Sequence, residues 1–532
     1  STIAGTQNLD ILSGSGAVTI TGNIGGGGAL TSLDINATGA STGTGNINIL
    51  GNIGADGTSG SGVVALGNSN TGTITFGTSG TESEYFTTGS QTYDAGTYSL
   101  VGTDPDFNAS SENIQFLDGA SGITLATGSD LTVDTAHNQD GNITIEGAIG
   151  STSGQTTTVT LEAGSGTVSV AGMATGIGNV TLDGSGGVTL NVSITTNGGN
   201  IDINDPTTIG GAVVLTTAGG TVDFASTIIG NSQHFDINSG SGDVSIGGTI
   251  GGNSALASLD INKTSGSGAI LLKDIGDSNT QGVTGTTNIG NNTTTTLTLA
   301  GTTYKTDEVT YTTKAGENID LTGEADTTFT TSDDDITFGT GTVEMGNGSN
   351  LIIDTGTGGG AIELPAGVMG TTSENITLTA GTGTVAIGAI GTGTEIADVT
   401  ITSTNATTFS GDFTGGSLTN SGPVIASSDI NIGSTGAVNF GSTLNSSDGS
   451  QSILFNISGI LTVSGEIGTT NSFSDFTITN ADKFEYSGTR IQPFTSGRFS
   501  SIGGFKIFDP GSSIEIVDTI EKTEDSELAF FS

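Results

Sequence analysis

The sequence predicts an all-β repeat fold, a β-solenoid in which short strands stack coil upon coil. Three observations carry that expectation. A ten-residue phrase, G-x-φ-x-φ-x-G-x-I-G with φ aliphatic, occurs five times, at residues 16–25, 45–54, 141–150, 242–251 and 459–468. A phrase this regular over most of a 532-residue chain marks a repeat architecture. The composition is that of strands and turns: 91 Gly, 6 Pro, polar positions filled mostly by Thr, Ser, Asn and Asp, and no stretch of helical periodicity. Aromatics are 5% and Trp is absent, which disfavours the main alternative, a string of antiparallel sandwiches with longer strands and large aromatic cores. The glycine has no period of three, so collagen is excluded, and the regularly placed aliphatics exclude plain disorder.

Within the phrase, alternation of aliphatic and polar residues predicts a short strand with one buried face, and the closing glycines predict a turn. Val18, Ile20, Ile143, Ile145, Val244 and Ile246 are therefore expected to point inward. Similar strands follow at residues 167–170, 179–182 and 200–203, recurring every 20 to 30 residues or so, the length of a solenoid coil. Two inward side chains make no core alone, but stacked on the next coil they form a continuous ladder. On that count the chain holds ~20 to 25 coils.

A longer repeat lies above the short one. Residues 24–36, ending Leu30-Thr31-Ser32-Leu33-Asp34-Ile35-Asn36, match residues 250–262, ending Leu256-Ala257-Ser258-Leu259-Asp260-Ile261-Asn262. They match residues 467–479 more loosely, with Phe473 and Phe476 in place of the two leucines. Between these landmarks, Gln91-Thr92-Tyr93 pairs with Val309-Thr310-Tyr311, and Leu131-Thr132-Val133-Asp134-Thr135 with Leu351-Ile352-Ile353-Asp354-Thr355. The expected organisation is a first array over 1–248, a second array and the start of a third over 249–482, and a distinct segment over 483–532.

That last segment differs in composition. Lys and Arg number 9 against 53 Asp and Glu, a formal net charge of −44, and residues 1–262 contain no Lys or Arg at all. Five of the nine cations lie at Lys483, Arg490, Arg498, Lys506 and Lys522, among Phe484, Phe494, Phe499, Phe505, Phe508, Phe530 and Phe531. A solenoid end exposes strand edges and an open core and needs a cap. A basic, aromatic segment also suits docking onto an acidic copy of the same chain. Lys483, Arg490, Arg498, Phe499, Phe505 and Lys506 are the expected interface residues.

The acidity excludes nucleic acid and anionic membrane surfaces as partners and attracts cations, Ca²⁺ above all. Asp333-Asp334-Asp335 is the densest acidic cluster. A solvated turn is its first reading. If instead it lies in a strand, Asp333 and Asp335 share a face and are the candidate Ca²⁺ ligands. The same pair could serve as acid and base on a polysaccharide, but no Arg or Lys stands closer in sequence than Lys314. Calcium-roll nonapeptides and EF-hand spacing are absent, His137 and His234 lie far apart, and no P-loop or nucleophile elbow stands in its structural context. An enzyme is not expected. Asn-x-Ser/Thr triplets, as at Asn36, Asn108, Asn142, Asn179 and Asn191, arise mostly from composition and do not by themselves show glycosylation. The absence of Cys excludes thiolate metal sites and fits an exported protein without disulfides. No 18-residue apolar run can span a bilayer as a helix. No leader is visible at Ser1-Thr2-Ile3, so an exported chain is expected to have it outside this sequence or to have lost it.

The run Thr92-Tyr93-Asp94-Ala95-Gly96, the Gly-x-Val-Ser-Ile-Gly-Gly-x-Ile-Gly-Gly of residues 242–252 and Ala255-Leu256-Ala257-Ser258-Leu259-Asp260-Ile261 resemble the strand repeats of filamentous-haemagglutinin-like secreted bacterial surface proteins. The likeness covers residues 1–480 or so and is one of repeat style. It implies a right-handed parallel β-helix at the cell surface, in adhesins, fibres or sheaths. The Asn-Pro-Asn-Gly motif of that family's secretion domain does not occur. The function expected is that of an extracellular structural protein that assembles with itself, head to tail, into a fibre, sheath or surface layer. A surface adhesin for glycan or host is the second expectation, and a polysaccharide-degrading β-helix enzyme the third.

Overall fold

The three-residue core of the phrase folds as expected, with its middle side chain outward and its two flanking side chains inward. In the computed structural model, which describes the chain apart from residues 1, 38–42, 55–59, 111, 120, 137–140, 152–156, 347, 489, 492–495, 500–503, 509–526 and 532, Val18, Ile20, Ile143, Ile145, Val244 and Ile246 are all buried. At 174–175, 496–499, 504–508 and 527–531 only the backbone is described. The described residues contain strands and no helix. They form a parallel β-solenoid of about 20 turns, divided into two compact units, Ser1–Gly268 and Ala269–Ser532.

In the first unit a turn contains three strands. Ile194–Thr196, Ile201–Ile203 and Thr207–Ile209 make one turn, and Val213–Thr216, Val222–Phe224 and Ile228–Ile229 make the next. The pairing is parallel and in register on each face: Ile194 opposite Leu215, Ile201 opposite Val222, Thr207 opposite Ile228. Like residues therefore stack at the strand spacing of about 4.8 Å. The second unit repeats the scheme. Asn318–Leu321, Thr327–Thr330 and Ile336–Phe338 pair in parallel with Thr342–Met345, Leu351–Asp354 and Ile362–Leu364 of the following turn. Lys483–Tyr486 pairs with Gly504–Phe508 in the same parallel sense, and Gly504–Phe508 with Glu527–Phe531.

The glycines of the phrase have separate physical reasons. A Cβ on the opening Gly242 would sit 2.0 Å from the carbonyl oxygen of Gly220, one turn earlier, so the chain can cross there only without a side chain. The closing Gly25, Gly54, Gly251 and Gly468 have φ of 84, 83, 71 and 70°, the left-handed region that favours glycine. The isoleucine before them, Ile24, Ile53, Ile250 or Ile467, is fully buried and bridges to a neighbouring turn, a third inward residue that alternation alone does not predict.

The long repeat is structural as well. Asn36 and Asn262 are buried, have φ of 57 and 51°, and bond Ser13 and Ser239 one turn earlier in the same way. Each Oδ1 accepts the serine N–H at 2.9 Å, and each Nδ2 donates to the serine Oγ, at 3.0 and 2.9 Å. Leu30, Leu33, Leu256, Leu259, Phe473 and Phe476 are all in the core. Tyr85 stacks on Phe107 at 4.6 Å between ring centroids, and Tyr304 on Phe329 at 4.8 Å. Tyr93 and Tyr311, the residues of the matched landmarks, lie against Phe116 and Phe338. Thr135 and Thr355 are buried, and their hydroxyls donate to the carbonyls of Gly141 and Gly360.

Candidate functional site

The acidic triplet is a turn, not a strand. Asp333 has φ 71° and precedes the strand Ile336–Phe338, so the strand alternation considered for it does not apply. Asp333 and Asp335 are exposed, and each carboxylate holds the next turn: Oδ1 of Asp333 accepts the N–H of Gly358 at 2.5 Å, and Oδ1 of Asp335 accepts that of Ala361 at 2.7 Å. Burial, reinforced by Asp307, Asp335 and Asp333, pushes the Asp334 carboxyl above its ordinary range. Among the described residues no three His, Cys, Asp or Glu side chains converge as a metal-ion group.

Asp335 belongs to a wider device. Where the outward residue just before a strand is Asn or Asp, its side-chain oxygen accepts a backbone N–H from the following turn. Asn113 takes that of Asn142 and Asn142 that of Thr167, both at 2.8 Å; Asn179 takes that of Asn200 at 2.9 Å and Asn200 that of Thr221 at 3.0 Å. Asp326, Asn350, Asn375 and Asp398 repeat the relay in the second unit. The Asn-x-Ser/Thr triplets at Asn142 and Asn179 thus serve the coil, and buried Asn36 is closed to glycosylation.

Of the residues expected at a subunit interface, Lys483 is half-buried and pairs with Glu485 at 2.6 Å. Arg490 is exposed, and its carbonyl accepts the Tyr486 hydroxyl at 2.6 Å. Arg498 and Phe499 lie in the strand Ser496–Phe499, opposite Thr477 and Ile478. Phe505 and Lys506 lie in Gly504–Phe508, opposite Phe484 and Glu485. Lys522 and His137 are outside the described residues. His234 is exposed, with Nδ1 2.7 Å from the Ser258 hydroxyl.

Acidic residues stack into columns. In the first unit Asp134, Glu162 and Asp183 occupy one register position on successive turns, and Asp202 lies opposite Asp223. Burial, then Asp134 and Asp183, raises the Glu162 carboxyl; burial, then Asp223, raises that of Asp202. In the second unit an open groove of about 390 Å³ is lined by Thr295, Thr296, Glu317, Asn318, Asp320 and Glu344, among others. Asp320 stands opposite Glu344, and burial, then Glu344, raises it, while Asn318 donates to the Glu344 carboxylate. Such a pair can share a proton or attract a cation. The nearby Lys314 is exposed and engaged by Glu317 at 3.7 Å.

The second unit also presents a face without charge. Thr377 and Thr379 lie opposite Thr400 and Thr402 of the next turn. Thr400 in turn lies opposite Thr419, Thr419 opposite Asn439, and Asn439 opposite Thr462. Ser421 and Ser464 follow Thr419 and Thr462 at the position that Thr402 has after Thr400. The result is one outward column of small hydroxyl and amide side chains over five turns, beside a second that Gly441 interrupts. Asp354 bounds them on one end, Glu485 on the other, and Asp398, bonded to Ser417, along one flank. Sequence reading missed this face, because its members are ordinary outward threonines until the coils are set in register.

Compared with family models, with curated proteins and with solved structures, the chain matches none.

Proposed function

We propose that the chain is an extracellular structural protein, a β-solenoid whose copies join head to tail into a fibre, sheath or surface layer, and that it is not an enzyme. What supports this reading is the use of the surface: polar side chains hold one turn to the next, in relays such as Asn113–Asn142–Thr167. Such a surface repeats along a lattice, as a building element requires. Among the described residues no helix is long and apolar enough to cross a membrane. Residues 1–262 carry no Lys or Arg, whereas residues 483–508 carry Lys483, Arg490, Arg498 and Lys506 against the single carboxylate of Glu485, a local excess of positive charge that an acidic surface could meet. Contacts between unlike surfaces propagate into filaments when they do not close.

Electron microscopy of the purified chain tests it. Ordered filaments are expected, lost in a triple R490E/R498E/K506E variant that keeps its β-sheet circular dichroism. A chain that stays monomeric with Ca²⁺ and crowding overturns the proposal. The second reading, an adhesin, is favoured by one observation, the uncharged face of the second unit.

A further inference from the structure

We propose that the Asp104–Pro105 peptide bond is a site of autocatalytic backbone cleavage, with the Asp104 carboxylate as nucleophile and water as co-reactant. The inference goes beyond the structural reading and holds whether or not copies join end to end.

Four observations carry it. First, Asp104 has φ 45°, in the left-handed region, and the residue after it is proline. That region is costly for a residue with a Cβ, and the ring of a following proline restricts the backbone further. Second, Asp104 is bulged out of its ladder. Against Glu82–Thr87, Thr103 stands opposite Glu82 and Pro105 opposite Ser83, which leaves Asp104 without a partner. Bulges re-aim a side chain and are frequent beside reactive sites. Third, the two sides of the bond are anchored differently. Asp104 is exposed, whereas Pro105 is buried and the strand runs on through buried Phe107 and Ala109. Oδ1 of Asp104 accepts the N–H of Asp130 at 3.0 Å, which tethers the carboxylate and leaves Oδ2 to attack. Fourth, Asp106 stands one residue beyond the bond. One of its carboxylate oxygens is shielded from solvent and has no hydrogen-bond partner. Burial, reinforced by Glu84 and Asp134 and opposed by Asn108, raises its pKa. The other ionisable neighbours, Glu82 and Asp130, are acids too, and residues 1–262 supply no Lys or Arg. Such surroundings retain protons.

The chemistry balances with water alone. Oδ2 of Asp104 adds to the carbonyl carbon of the same residue and closes a cyclic anhydride. The C–N bond to Pro105 breaks, and the proline nitrogen leaves as an amine with a proton from the medium, for which Asp106 is the nearest carboxyl along the chain. Water then opens the anhydride and leaves Asp104 as a new C-terminus. The cut strand stays paired with Glu82–Thr87 on one side and Leu131–Asp134 on the other, so the pieces remain together until the chain is unfolded.

The molecule contains its own comparison. Three of the six prolines follow Asp. Asp205–Pro206 lacks the left-handed φ, and Oδ2 of Asp205 accepts the Gly184 N–H at 2.7 Å. Asp509–Pro510 lies outside the described residues.

The full-length chain, incubated at neutral pH and at about pH 4, in the carboxylate range, and read on denaturing gels and by mass spectrometry, tests the proposal. Acid should release a fragment that begins Pro105-Asp106-Phe107, roughly tenfold or more faster than one that begins at Pro206, because only the first bond is strained. In urea at the same pH the two bonds should break at similar rates, since the bulge is gone. D104N keeps the tolerance of left-handed backbone and removes the nucleophile; it should slow the cut roughly tenfold or more with β-sheet circular dichroism unchanged. No cut after Asp104 overturns the proposal. So does equal cleavage at the two bonds in the folded chain, a cut after Asp104 no faster folded than in urea, or a cut that survives D104N.

Discussion

Ile246 shows what one inward position contributes. It is fully buried and stacked on Phe224 of the preceding turn. Ile246→Asp buries an unpaired carboxylate and should cost roughly 3 kcal/mol or more, measured as a lowered midpoint in urea unfolding. Glu374 is the opposite case, a buried carboxylate with its partners supplied. It accepts the N–H and hydroxyl groups of Thr371 and Thr372, at 2.9 to 3.3 Å. Burial alone would raise its pKa, but the bonds from Thr372 and Thr371 outweigh that and hold it below the ordinary range. A folded-state pKa that is lowered contributes stability present above the unfolded value and lost as pH falls through the folded one. Glu374→Gln should therefore cost about 1–3 kcal/mol at neutral pH. The difference from the unaltered chain should shrink as the solution is acidified through the carboxylate range; a difference constant with pH would refute the assignment.

The strand column is the next scale, and there register decides electrostatics. Glu162 has Asp134 on one side and Asp183 on the other, one turn away each. Like charges opposite one another in a sheet destabilise it by a few tenths to about 1 kcal/mol, less when the groups are solvated. Glu162→Gln should raise the melting temperature slightly in low salt and have no effect at high salt, where screening removes the repulsion. The asparagine relays work in the other direction. They tie turns of unequal length, from 21 residues between Asn179 and Asn200 to 29 between Asn23 and Asn52, so the strands stay in register while the loops vary. The glycine columns do the same by permitting contact that a Cβ forbids, as at Gly220 and Gly242.

Over the whole molecule the balance of carboxylates sets the response to solution conditions. Asp94, Asp106, Glu162, Asp202, Asp236 and Asp320 all have raised pKa values, with burial the first cause in each. An acid with a raised folded-state pKa favours the fold when protonated and loses that contribution as pH rises through the folded value. Thermal stability in low salt should thus rise as pH is brought down from neutral towards the raised carboxylates, against the smaller opposite effect of Glu374. Added Ca²⁺ should raise the melting temperature more than Na⁺ does at matched ionic strength, since the columns place like charges about 4.8 Å apart. Equal melting curves with calcium and with chelator would leave general screening as the full account.

The sequence by itself determined which residues face in, because alternation along a short strand has only two faces to assign: Val18, Ile20, Val244 and Ile246 are legible from the phrase alone. It also determined the solenoid, since two aliphatics per strand cannot form a core without a neighbour above and below, and the match of Asn36 with Asn262. Tertiary structure decided what meets what on the outside. Turns differ in length, so the sequence distance between stacked residues is not constant, and the column that joins Thr377, Thr400 and Thr419 exists only once each turn has closed onto the last. The same closure decided what the turn at Asp333 holds: its carboxylate accepts the N–H of Gly358, twenty-five residues later, and no local pattern encodes that bond.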